Sequence, residues 1–181
     1  MADHPIVELL ETDHRNLRRL LALAEREVDS LARGDTVDLE LLGDILDYAR
    51  GYPSLVHRPR EETLFELLRR HGTNAGPVLE ILREHAGLSR AIDRTQAAVQ
   101  SLGQDANVPR DRLLGDLRNL IAAYRGHMSL EEQLFAEARR RFDAADWAAV
   151  ERARTGSDPL FDPKPEARYR RLAERLTASR A

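Results

Sequence analysis

Two short stretches of the chain carry the same pair of metal-ligating groups at the same spacing. His57 precedes Glu61 by one helical turn, and His127 precedes Glu131 likewise, so in a helix each pair shares a face. Two further histidines, His14 and His85, interrupt otherwise apolar stripes. A lone interior histidine is usually a hydrogen-bonded core residue, and a single His-x-x-x-Glu is a common surface pair. Two copies of that pair, each with a histidine on the preceding helix, select a different reading. Four imidazoles and two carboxylates would converge at one level of a helical bundle. Burying such groups unpaired costs on the order of several kcal/mol per charge, more than a fold of ~5–15 kcal/mol stability can carry for all of them. A metal centre turns the same groups into bonds. Nitrogen and oxygen donors without sulfur suit iron, with manganese or zinc in second place, and carboxylates facing each other from related helices can bridge two metals.

The elements that must position these residues are helices. Leu, Ala, Arg and Glu dominate, and no stretch alternates in the manner of a strand. Val7, Leu10, His14, Leu17, Leu21, Ala24, Val28 and Leu31 stand at alternating steps of three and four, one stripe along one long helix. Val78, Ile81, His85, Leu88, Ile92, Thr95, Val99 and Leu102 repeat it with the same steps, shifted by 71 residues. Two more helices are predicted, one over about 37–70 and one from about Pro109, a good first-turn residue, to about Arg141. In the last of these, Leu113, Leu117, Leu120, Tyr124, His127, Glu131, Leu134 and Ala138 share a stripe, which aims the His-Glu pair at the core. Residues 57–70 and 127–140 are identical at seven of fourteen positions, where average composition gives roughly one. Upstream the shift is 72, and the two-residue difference falls around Pro53, which should kink the second helix. Gly34, the 71–77 stretch and the 103–107 stretch punctuate the helices, and such short connections favour antiparallel neighbours.

The expected fold is therefore all-α: an up-down-up-down four-helix bundle over 1–141, a pseudo-repeat of two helix pairs at about 5–71 and 77–141. A short helical C-terminal extension follows over 142–181. It comprises a helix over about 144–153 containing Trp147, a loop over 155–165 and a last amphipathic piece from about Glu166 to Ala178. This extension is expected to pack on the bundle or to serve a dimer contact.

Composition narrows the function. The 181 residues hold no cysteine, which excludes disulfides, thiolate metal sites and cysteine nucleophiles. A net charge of −3 spread over many charges of both signs argues against a nucleic-acid partner. The first residues carry acids and no long apolar run, so no signal peptide is expected. No membrane span is expected either. The chain reads as a soluble, cytoplasmic protein, a monomer or homodimer.

Several motifs together carry a resemblance: Asp13-His14-Arg15-Asn16-Leu17, His57-Arg58-Pro59-Arg60-Glu61-Glu62-Thr63-Leu64-Phe65, Glu84-His85 and His127-Met128-Ser129-Leu130-Glu131-Glu132-Gln133-Leu134-Phe135. In these the chain resembles the hemerythrin-like, HHE cation-binding family over about Pro5 to Arg140. The resemblance implies a non-heme di-iron centre in a four-helix bundle, with His14, His57, His85 and His127 as terminal ligands and Glu61 and Glu131 as bridging carboxylates. The oxygen carriers of marine invertebrates in this family use a fifth histidine, two standing four apart on the third helix. Here the residues four before and four after His85 are Ile81 and Ser89. Those carriers also place the second carboxylate where Glu132 stands, so Glu132 competes with Glu131 for that role. Two six-coordinate irons offer about twelve positions, of which four histidines, two bridging glutamates and an oxo or hydroxo bridge fill about ten. A pair with open positions suits binding or sensing of a small oxidant (O2, peroxide or NO) better than simple reversible O2 carriage. The alternatives are an enzyme degrading peroxide or reducing NO on the same site, and a non-catalytic iron-handling module. Tyr124, one turn before His127, is either a donor to a ligand or a core aromatic. Glu62 and Glu132 read as surface or supporting groups, His71 as a helix end, His4 as the lead-in to the first helix, and Arg69 and Arg139 as solvated.

Overall fold

The computed structural model describes residues 4–104, 109–153, 156 and 158–178, with residue 54 described by its backbone alone. Among these residues every regular element is helical. They are α1 (Pro5–Arg33), α2 (Leu39–Tyr52), α3 (Arg58–Arg70), α4 (Ala75–Gly103), α5 (Arg110–Arg141), α6 (Ala144–Arg152) and α7 (Arg170–Ala178). A wide π turn, Pro53–His57, joins α2 to α3, and a 3₁₀ turn, Ala167–Tyr169, leads into α7. Part of the predicted connection at 103–107 and part of the loop at 155–165 lie outside the described residues. No described helix is long and apolar enough to cross a membrane.

Local chemistry sets the helix ends. His4 caps α1 through Nδ1, which accepts from the Ile6 amide, and Pro5 opens the first turn. Gly34, with φ of 86°, closes α1, its amide bonding the Leu31 carbonyl. Asp38 and Asn74 cap α2 and α4. Asp143 and Asp146 form a reciprocal capping box on α6. Pro109 stands just outside α5 rather than within its first turn.

The second predicted helix is where structure and expectation differ most. The kink at Pro53 is a π turn, in which the Arg58 amide reaches the Pro53 carbonyl five residues back. Proline has no amide hydrogen, so the Ala49 carbonyl loses its ordinary helix partner four residues on. The Tyr124 hydroxyl donates to that carbonyl at 3.2 Å. A tyrosine of α5 thus supplies the bond that the α2 backbone cannot. The stretch from Tyr52 to His57 is two residues longer than that from Tyr124 to His127, and the wide turn is where this excess lies.

The long helices enclose one interior, α1 lying against α5 and α2, and α4 against α2 and α5. Its apolar residues fall into two clusters. The larger includes Leu17, Leu20, Ile45, Tyr48, Leu88, Ile92, Leu117, Tyr124 and Met128. The smaller includes Leu10, Leu64, Phe65, Ile81, Leu134 and Phe135. On every stripe the predicted site residue separates a member of one cluster from a member of the other, as His14 separates Leu10 from Leu17. The polar groups therefore form a layer across the core. The C-terminal elements seal both clusters. On α6, Trp147 and Val150 join the smaller one; Trp147 stacks on His4 at 4.3 Å and meets Phe142 edge-on. Leu160, Tyr169, Leu172 and Leu176 join the larger.

Candidate metal centre

Each predicted site residue is buried, and all six come together. Their donor atoms form two sets, His14, His57, Glu61 and Glu131 on one side and His85, His127 and Glu131 on the other, each within 4.8 Å. The contacts are ordered. Glu61 Oε1 lies 2.8 Å from His57 Nε2 and 3.6 Å from His14 Nε2, while its Oε2 lies 3.8 Å from His85 Nε2. Glu131 Oε1 lies 3.0 Å from His127 Nε2 and 3.3 Å from His85 Nε2, while its Oε2 lies 3.2 Å from His14 Nε2. Each carboxylate thus faces histidines of both halves, one oxygen toward each.

The residues fit a cation. His14 Nε2, His57 Nε2 and both Glu61 oxygens are buried without a hydrogen bond among the described residues, although other donors and acceptors are this close. Orphaned polar atoms converging on one point are what a metal ion satisfies. Without one, protons hold the cluster together. Burial opposes a charged ring at His14, but the carboxylates of Glu131 and Glu61 outweigh it and push its pKa up to about 9. Burial likewise opposes charge on His57, and Glu61 and Asp13 push it up to about 10. Burial is again outweighed at His127, raised by Glu131 and Glu84. At Glu131 burial favours the neutral acid, yet His127, His14 and His85 hold it well below the usual carboxylate range. A cation bound among these donors takes the place of those protons.

Behind the cluster stand three acids, two of which, Asp13 and Glu84, sequence reasoning did not assign as partners. Asp13 Oδ2 lies 3.0 Å from His57 Nδ1, and Glu84 Oε2 lies 2.8 Å from His127 Nδ1. The shift of 71 maps Asp13 onto Glu84, each the residue just before the histidine on the first helix of its half. That repeat was the available signal. Glu132 accepts from His14 Nδ1 at 3.1 Å and from Arg18 at 2.8 Å, which gives it a supporting role behind His14. Glu131, not Glu132, faces the cluster. Carboxylates on the outer ring nitrogen fix ring orientation and direct Nε2 inward. His85 Nδ1 has no such partner among the described residues.

Arg60, fully buried, was also missed. Its Nη1 lies 3.6 Å from Asp13, and its Nη2 donates to the Gly156 carbonyl at 3.2 Å. Burial together with Asp13 and Asp158 raises the Tyr52 hydroxyl above its ordinary pKa, and the Tyr48 hydroxyl donates to Asp158 at 2.8 Å.

The remaining expectations resolve simply. Tyr124 spends its hydroxyl on Ala49 and is a core aromatic. His71 ends α3 and bonds Asp146 at 2.8 Å, joining α3 to α6. Glu62 is exposed. Arg69 is exposed and paired with Glu66, whereas Arg139 is paired with Glu11 and only partly solvated.

The cluster encloses a cavity of about 10 Å³, room for one water-sized molecule. It lies toward Leu17, Leu88, Pro53, Tyr124 and Met128, on the side of the larger apolar cluster.

No curated protein and no solved structure matches the chain significantly. The family model for the hemerythrin HHE cation-binding domain matches residues 5–138, spanning all six clustered residues. A buried histidine–carboxylate cluster within that match fits a metal-binding protein, and the chain belongs to the hemerythrin HHE cation-binding family.

Proposed function

We propose that the bundle, with its main helices running up-down-up-down through residues 1–141, holds two iron ions and uses them to bind or sense a small oxidant: O2, peroxide or NO. His14 and His57 would hold one ion and His85 and His127 the other, with Glu61 and Glu131 available to both. The observation that carries this reading is the division of each carboxylate, one oxygen to the histidines of each half. Two acids that face both halves serve a pair of ions better than a single one. Bound iron would supply Lewis acidity and a one-electron couple at the open side of the cluster.

The chain's own groups do the rest. Asp13, Glu84 and Glu132 orient the rings of His57, His127 and His14. The apolar clusters above and below keep bulk water out, and the cavity has room for a water-sized ligand. Trp147 and Val150 of α6 cover the smaller apolar cluster, and Leu160, Tyr169, Leu172 and Leu176 cover the larger.

Protein from iron-replete cells should carry about two irons per chain, with near-UV charge-transfer absorption. A metal-free protein of undiminished stability would sink the proposal. Added peroxide should bleach or shift the spectrum once; steady O2 evolution would assign an enzyme instead.

A further inference from the structure

The cavity beside the cluster has one wall that differs from the rest. Every other described residue lining it is buried, and Arg58 alone is partly exposed. A small molecule coming from solvent therefore passes this side chain. Arg58 is also held in place. Its Nη1 donates to Ser89 Oγ at 3.2 Å and its Nη2 to the His85 carbonyl at 3.2 Å, while Ser89 Oγ donates to the same carbonyl at 3.0 Å. These bonds fasten the start of α3 to α4 across the mouth. A guanidinium has five N–H donors in a rigid fork, so donors remain beyond the two bonds described.

The repeat provides an internal control. At the shift of 70 that superimposes the two His-x-x-x-Glu segments, Arg58 corresponds to Met128. Both line the cavity, yet Met128 is 1 % exposed and uncharged. The helix geometry thus needs no cation at this place. In half one a permanent positive charge stands at the mouth; in half two a thioether closes the wall. The carboxylates in the wall, Glu61 and Glu131, already face the histidines.

We infer that Arg58 is the specificity-determining residue of the centre, drawing small monoanions to the mouth of the cavity and holding them there through charge-assisted hydrogen bonds. The class is an anion of a few atoms, such as hydroperoxide, in preference to a neutral diatomic. This rests on the reading of the cluster as an iron centre. The guanidinium acts by attraction on approach and by a directed N–H donor once the ligand is in place.

The test uses the full-length, iron-loaded protein, with azide as the anionic probe and nitric oxide as the neutral one, both followed by changes in the iron absorption spectrum. Arg58→Met copies the other half. It should keep its iron, weaken azide binding roughly tenfold and weaken nitric oxide binding much less. Arg58→Lys keeps the charge and should recover most of the azide affinity. Azide affinity within about twofold of the parent in Arg58→Met, or equal loss of both probes, overturns the inference. If Arg58→Met loses iron, Arg58→Gln, which keeps an amide donor for Ser89, repeats the comparison. Iron loss from both variants makes Arg58 a structural brace and overturns it as well. A parent protein without iron fails differently, because it removes the centre itself; an iron-loaded parent whose variants bind azide unchanged removes only the role of Arg58.

Discussion

The two halves of the bundle place the same inner groups and support them differently. In half one, His57 is backed by Asp13, which is 3 % exposed, and Arg60 lies beside that carboxylate. In half two, His127 is backed by Glu84, whose side chain is 36 % exposed, and Leu130 stands where the repeat would put Arg60. The difference has a physical logic. A carboxylate at the surface is solvated and needs no counter-charge. A carboxylate in the core does, and the arginine that supplies it is itself tied to the Gly156 carbonyl in the C-terminal extension. A near-symmetric ring of donors is thus held by a closed frame on one side and a solvent-facing one on the other.

Several experiments would break or sharpen this comparison. The groups shared by both halves should matter most. Glu131→Ala should take iron from about two per chain to near zero, whereas His57→Ala and His127→Ala should each leave about one, by metal analysis. Arg60→Met comes next, since it takes the guanidinium from beside the buried Asp13 and leaves that carboxylate to the His57 ring. It should cost the metal-free protein about 3–5 kcal/mol in denaturant unfolding, and Asp13→Asn added to it should recover much of that loss. A Glu84→Gln variant leaves no buried charge behind. Its folding stability should hardly change, while iron affinity drops about tenfold in competition with a chelator. The smallest effect belongs to Tyr124→Phe, which leaves the Ala49 carbonyl unpaired and should cost about 1 kcal/mol in stability with iron content intact. An iron loss there comparable to His127→Ala would mean that the hydroxyl serves the centre after all.

How much of this was written in the sequence depends on the kind of residue. His14, His85, His127 and Glu131 were legible because each replaces an apolar residue on a regular stripe, and His57 and Glu61 because their segment matches that of His127 and Glu131. Asp13 and Glu84 were harder. Each is one residue from its neighbouring histidine, about 100° around the helix, so it falls beside the stripe and reaches across to the next helix. Glu132 was assigned a surface or supporting role, and its neighbour Glu131 occupies the inner place that the repeat favours. Arg60 carried no signal. A charged residue on a helix is ordinarily solvated, and the burial of Arg60 goes with its bond to the Gly156 carbonyl, a contact that no periodicity encodes. Pro53 marked the disturbance in the second helix, but its shape followed from a missing amide and a hydroxyl 71 residues away in the chain.

The position of Trp147 has a practical consequence. It is the chain's single tryptophan, 9 % exposed, stacked on the ring that caps α1 and packed in the same apolar cluster as Phe135, which itself lies 5.4 Å from His14. One indole therefore reports on the joint between the two ends of the chain. Excitation of that indole makes undocking of the C-terminal segment visible as a red shift in emission, without any label. Quenching by a coloured metal centre gives a second, independent optical channel in the same measurement.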